Sequence, residues 1–275
     1  MTGITKILSE NKRYIFMLLG IALFLPPLSV IPQAAGEVNM CGTVCPRMFF
    51  IFSPKGIASG FIDNIGAAWF GSALVGLILV VTLFFGRLWC SHVCPIGGTS
   101  ELISRGIHER VKINFSIINA PAFRYGYFIV FIAGAFLGIG SIACKFCNFR
   151  VIPFLAGAPF VPAYRTYLTT SMGIAGLATI GVSGFFAKGG RAYCNLLCPI
   201  GALDSLSNRL GLTFGKRMKV DKDKCIGCGE CKKTCPTWSI SVSEKAEIDQ
   251  LSCMPCRICE TKCPEGAISY GKLKA

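Results

Sequence analysis

The chain has 275 residues, of which 52% are hydrophobic and only 15% charged, and its mean hydropathy is +0.57. Such a composition exceeds what a soluble globule carries and points to a membrane protein. Its 28 basic residues outnumber 14 acidic ones for a net charge of +14. The basic residues flank the apolar segments and no nucleic-acid motif accompanies them, so the expected partner is a lipid bilayer and not nucleic acid. The 16 cysteines fall in short pairs near predicted helix ends, which favours metal ligation over the disulfide scaffold of a small secreted domain.

Four uncharged apolar runs follow one another along the chain, at residues 14–31, 67–85, 125–142 and 167–186. Each is about as long as a helix crossing a ~30 Å hydrocarbon core, and the expectation is four transmembrane helices. Pro26 and Pro27 should bend the first near its end. That run is longer than the apolar region of a signal peptide and no small-residue cleavage site clearly follows, so it reads as an anchor. Gly134 and Gly138 in the third run, and Gly173, Gly176, Gly181 and Gly184 in the fourth, offer small faces for close helix packing. An even number of crossings puts both termini on one side. Lys6, Lys12, Arg13, Arg87, Arg105, Arg110, Lys112, Arg124, Lys188 and Arg191 share that side, which makes it cytoplasmic in a prokaryotic inner membrane.

The membrane half repeats itself. Gly86, Arg87, Trp89, Cys90, Cys94, Pro95, Ile96 and Gly97 return 104 positions later as Gly190, Arg191, Tyr193, Cys194, Cys198, Pro199, Ile200 and Gly201. Cys41 and Cys45 precede the first copy, and Cys144 and Cys147 the second. The organisation is therefore a first membrane repeat over residues 1–110, a second over 111–215, related by a two-fold about the membrane normal, and a C-terminal domain over 216–275.

In that last domain Cys225, Cys228, Cys231, Cys235 with Pro236, and Cys253, Cys256, Cys259, Cys263 with Pro264, each match C-x₂-C-x₂-C-x₃-C-P. Three thiolates on one tight loop hold three irons of a cubane and the fourth comes from the other motif. One [4Fe–4S] cluster would use Cys225, Cys228, Cys231 and Cys263, the other Cys253, Cys256, Cys259 and Cys235. Residues 238–242 and 266–270 read as short strands. Over about residues 216–272 this resembles the bacterial 2[4Fe–4S] ferredoxin, a small α+β fold.

Topology groups the remaining cysteines. Cys90, Cys94, Cys194 and Cys198 follow the second and fourth helices and fall at the cytoplasmic face, while Cys41, Cys45, Cys144 and Cys147 fall at the opposite one. Each set forms a four-thiol site, giving one or two further iron–sulfur clusters; zinc stays open for the inner set and disulfides for the outer. Haem is not expected, because only His92 and His108 are present and neither lies in an apolar run. Arg87 and Arg191 begin the two repeats, where they could stabilise an anionic cluster or bind lipid headgroups, and as interfacial arginines the headgroup role is preferred. His92, Glu101 and the segment 121–127 are the candidates for a quinone contact.

The paired Gly-Arg-x-[Trp/Tyr]-Cys-x₃-Cys-Pro segments, four helices and terminal ferredoxin resemble the NapH/MauN family of ferredoxin-type membrane proteins across nearly the whole chain. The resemblance implies quinol oxidation and electron delivery through partner subunits of a membrane redox complex. Cys41 and Cys45 with Cys144 and Cys147 depart from the common nitrate-reductase type, which leaves the partner open and suggests a cofactor on the outer face. The expected function is an iron–sulfur electron-transfer subunit; the alternatives are an assembly or regulatory reductase for another metalloenzyme and a structural subunit with redox-silent metal.

Overall fold

In the computed structural model, residues 3–34, 69–136 and 145–273 are described. The described residues are mostly helical, and the strands among them all lie in the C-terminal domain. Helix α1 (Gly3–Phe24) ends just before Pro26 and Pro27, and the chain bends before α2 (Val30–Ala34). Neither proline can donate a backbone N–H to continue the helix, so the first apolar run is broken as its prolines require. Helix α3 (Trp69–Phe85) realises the second run, and α5 (Ala120–Phe136) starts the third a few residues early. The fourth run differs from expectation. It divides between α7 (Pro162–Leu168) and α8 (Ser171–Ile180), bent by 80° at a short break, with a π turn over Gly181–Phe185.

Among the described residues no single helix is long and apolar enough to cross a membrane; α3 is apolar but 17 residues long, and α7 with α8 qualifies only as a bent pair. Large apolar side chains nonetheless face outward along these helices. Ile15, Phe16 and Leu18 on α1, Leu77, Val80 and Phe84 on α3, Ile129 and Val130 on α5, and Ile174 on α8 are each half or more exposed. Of the glycines expected to allow close packing, Gly173 and Gly176 do so: an added Cβ would meet the Tyr167 carbonyl at 2.3 Å and Val151 at 2.1 Å. Gly134 and Gly181 face open space, and Gly138 lies outside the described residues.

The repeat is visible in packing. After each second cysteine a 12-residue helix begins at the proline, α4 (Pro95–Gly106) and α10 (Pro199–Leu210). Proline suits this first helical position because the N–H it lacks would have had no intrahelical partner. Helix α4 packs on α1 of its own half and on the Gly181–Phe185 turn of the other; α10 packs on α5 of its own half and on α3 of the other. The halves thus exchange contacts about a pseudo-two-fold. Each repeat opens on a glycine with positive φ, Gly86 at 74° and Gly190 at 68°. At Gly190 a Cβ would also meet the Glu101 Cα at 2.6 Å, so glycine is required by both conformation and space.

The C-terminal domain closes on itself by antiparallel pairing of β1 (Lys216–Val220) with β4 (Ile268–Lys272); β2 (Ile240–Val242) pairs with β3 (Ala246–Ile248). Met218, Ile240, Ala246 and Ile268 form its apolar core together with Cys231, Cys253 and Cys259. Short helices α11 (Glu230–Thr234) and α12 (Ile258–Lys262) pack against each other and carry Cys231 and Cys259.

Candidate metal centres

The two halves of the repeat bring their cysteines to one place. Cys90, Cys94, Cys194 and Cys198 line a single hollow, walled otherwise by Trp89, Ile96, Phe149, Tyr193 and Ile200. All four thiols are buried. The donor set suits an iron–sulfur cubane: four sulfurs within a largely apolar wall, with the Asp204 carboxylate accepting from the Cys90 thiol at 3.1 Å. Among the described residues no three Cys, His, Asp or Glu side chains converge as ligands of one ion would.

Burial raises the Cys94 and Cys198 thiols, and local backbone groups offset part of that rise. Cys94 and Cys198 each precede a helix N-terminus, and the Cys198 sulfur accepts the Gly201 N–H at 3.3 Å. Unpaired N–H groups and the positive end of the helix dipole point at these thiols. Burial pushes the Cys90 thiol well up, and nearby Asp204 adds to the rise.

Two arginines supply the compensating charge, and both are fully buried, which corrects their reading as headgroup contacts. Arg87 of the first repeat pairs with Asp204 of the second at 3.2 Å, and Arg191 of the second pairs with Glu101 of the first at 2.8 Å. The repeat glycines make room for them: a Cβ at Gly97 would meet the Arg191 Nη1 at 2.0 Å, and one at Gly201 the Arg87 Nη2 at 3.3 Å. Burial lowers the Arg87 guanidinium, but Cys90 and Asp204 more than offset it and keep the group charged.

Glu101 holds more than one cation. Arg13 donates to both its oxygens, at 2.9 and 2.5 Å, and Arg105 joins at 2.9 Å. Burial alone would raise this carboxyl, yet Arg191 and Arg13 hold it at about 2. Engaged on every side and fully buried, Glu101 is a structural anion and not a quinone contact. The second half mirrors this with Arg124, which donates to Ser205 at 2.8 Å and Asn195 Oδ1 at 3.1 Å. Sequence reading missed these pairs, although a signal existed: an Arg-Tyr dipeptide, Arg13-Tyr14 and Arg124-Tyr125, opens both halves, with each guanidinium over its tyrosine ring. His92 is lowered to about 4 by burial and by Arg13, and its Nδ1 lies 2.6 Å from the Ser91 hydroxyl. His108 caps a short turn by accepting the Arg110 N–H.

In the C-terminal domain Cys225, Cys228, Cys231 and Cys263 line one hollow, so the last thiol arrives from the other motif. Gly227 permits the loop: its φ is 70°, and a Cβ would meet the Glu244 carbonyl at 2.3 Å. The Cys225 sulfur accepts the Ala246 N–H at 3.4 Å, and N–H groups of Ala246 and Gly227 lower its thiol. Of the second set, Cys256, Cys253 and Cys235 lie near enough to Cys259 to act on its thiol. Burial raises the Cys253 thiol first, and Cys235 and Cys256 raise it further.

Of the outer set, Cys41, Cys45 and Cys144 lie outside the described residues. Cys147 does not line the hollow of the inner set. It is buried in the same core cluster as Cys94 and Cys198, 3.7 Å from the Tyr193 hydroxyl. The chain dives back into the core there, because Phe149, Val151 and Ile152 at the start of α6 (Asn148–Gly157) bury their side chains.

Two comparisons agree with this geometry. A 4Fe-4S binding domain family matches residues 67–114 and again 168–217, one match per repeat, and a second 4Fe-4S binding domain family matches 217–240. An uncharacterised protein of Methanocaldococcus jannaschii is 28% identical over 71% of this chain and 69% of its own. The methylamine utilization ferredoxin-type protein MauN of Methylobacillus flagellatus is 26% identical over 60% of this chain and 54% of its own. The ferredoxin-type protein NapH of Escherichia coli is 24% identical over 60% of this chain and 53% of its own. The chain thus spans about half the length of these two ferredoxin-type relatives. No solved structure matches it. With a 4Fe–4S binding domain match on each repeat and relatives named for the same ferredoxin type, the chain is similar to the NapH/MauN-type 4Fe–4S ferredoxin proteins.

Proposed function

We propose that this protein is a membrane-bound iron–sulfur carrier that passes electrons between the quinone pool and a partner redox complex. The observation that carries the reading is the meeting of Cys90, Cys94, Cys194 and Cys198, two from each repeat, around one buried hollow. These four would hold one [4Fe–4S] cluster. Cys225, Cys228, Cys231 and Cys263 would hold a second, and Cys253, Cys256, Cys259 and Cys235 a third. Cys41, Cys45, Cys144 and Cys147 would form a further metal site. Bound clusters supply one-electron transfer, which lets a two-electron donor such as a quinol be oxidised stepwise.

The protein's own groups prepare these sites. Trp89, Phe149 and Tyr193 exclude water from the inner hollow, and the helix ends and buried Arg87 and Arg191 favour negative charge there. The outward apolar side chains of α1, α3, α5 and α8 support a lipid-facing belt, and the basic residues beside them support four crossings with cytoplasmic termini. The domain limits at about residues 110 and 215 belong to the same reading.

The test is anaerobic purification followed by assay of iron, acid-labile sulfide and zinc, with electron paramagnetic resonance after reduction by dithionite and by a quinol. Iron for three or more cubanes, reducible by the quinol, is expected. Iron for two cubanes only would refute a cluster in the repeats, and redox-silent zinc would favour a structural role. Clusters inert to quinol but oxidised by a metal ion would favour a maturation reductase.

A further inference from the structure

The C-terminal domain is docked on the repeats through its second cysteine motif. Met254, between Cys253 and Cys256 in sequence, is buried in one cluster with Cys90 and Cys194, against Trp89. Around that contact the backbone is pinned. The Leu251 carbonyl, two residues before Cys253, accepts from Arg87 at 3.2 Å, Arg124 at 3.0 Å and Ser205 at 2.7 Å. Asn195, next to Cys194, donates to the Thr237 carbonyl at 2.9 Å, and Asn208 donates to the Gln250 carbonyl at 2.5 Å. The first motif faces away: its hollow is walled only by residues of its own domain, Cys228 is exposed, and Ile226 is 65% exposed.

Arg87 sits at the junction with no exposed surface. On one side it pairs with Asp204, whose Oδ2 accepts from the Cys90 thiol at 3.1 Å, and on the other it donates to the Leu251 carbonyl, two residues before Cys253. In so dry a place one charge is felt far more strongly than in water. We infer that Arg87 is a shared counter-cation that couples the Cys90/Cys94/Cys194/Cys198 site to the Cys235/Cys253/Cys256/Cys259 site, setting the reduction potentials of both and leaving the Cys225/Cys228/Cys231/Cys263 site apart.

The inference rests on the cluster reading above. Each site takes up one electron from the reductant, with no bond made or broken and no proton moved. The added negative charge on one site makes uptake at the other less favourable, and the guanidinium offsets part of both charges. The test is a redox titration of the purified holoprotein with dithionite, followed by electron paramagnetic resonance, with Cys228→Ser identifying the remote site's signal. Arg87→Gln is combined with Asp204→Asn so that no buried charge is stranded. The Cys253 site of this variant should become at least tenfold harder to reduce, about 59 mV for one electron, while the Cys225 site stays put. Arg87→Lys should restore most of the native value. Removing the repeat site with Cys194→Ser should make the Cys253 site easier to reduce. Equal movement of both ferredoxin sites, or no movement at either in protein that carries three or more cubanes, overturns the coupling. Native protein with iron for only two cubanes instead overturns the cluster reading, and the coupling with it.

Discussion

Glu101→Gln is the sharpest test of how the two halves are held together. The carboxylate is buried on α4 and receives Arg13 and Arg191, both themselves buried, as well as Arg105 at the surface. A carboxyl held at about 2 against an ordinary 4.5 is stabilised by about 3 kcal/mol when ionised, at about 1.36 kcal/mol per pH unit. That agrees with the ~3–5 kcal/mol lost when one member of a buried ion pair is removed and its partner's charge is stranded. Because the folded value is depressed, this contribution is fully present above pH 4.5 and fades as pH falls toward 2. The assay therefore belongs at pH 7, as thermal unfolding of the holoprotein in mild detergent. At ~2–4 °C per kcal/mol, a loss of about 3 kcal/mol lowers Tm by roughly 6–12 °C. Glu101→Asp, which keeps the charge but shortens its reach, should fall between. A Glu101→Gln protein with native Tm would refute the claim that this anion joins the halves.

Gly97→Ala should cost about 1–3 kcal/mol by overpacking, since the new Cβ would meet Arg191 at 2.0 Å; Gly98→Ala, with its nearest atoms at 3.5 Å, should be near neutral by the same unfolding measurement. Cys94→Ser and Cys198→Ser should each lower bound iron by about four atoms per chain, one cubane's content, and leave both ferredoxin signals in the electron paramagnetic resonance spectrum. Tyr193→Phe removes a hydroxyl that contacts the Cys147 sulfur and accepts the Asn148 N–H at 3.2 Å. It should destabilise the fold by about 1 kcal/mol, read as a lower Tm, without loss of iron from the four-cysteine site.

Much of this protein could be read locally. The C-x₂-C-x₂-C-x₃-C-P loops, the prolines opening α4 and α10, the break at Pro26 and Pro27, and the 104-residue repeat are short-range signals, each imposed by backbone geometry or ligand spacing within a few residues. Where the partner lies far along the chain, local reading failed. An arginine beside an apolar run has the same local sequence whether it meets lipid headgroups or a carboxylate, so Arg87 and Arg191 were assigned outward when each is buried against an acid of the other half. The number of crossings likewise says nothing of how deep Cys147 lies, which the buried start of α6 decides.

The sequence by itself therefore determined which residues have iron–sulfur chemistry and how they are spaced, because a cubane's ligands are specified by loops a few residues long. Only the tertiary structure decided which charges face those thiols, which motif of the ferredoxin domain docks on the repeats, and how deep Cys147 lies. Those outcomes depend on burying guanidinium and carboxylate groups in matched pairs between segments about a hundred residues apart, a constraint that acts only once the halves have packed.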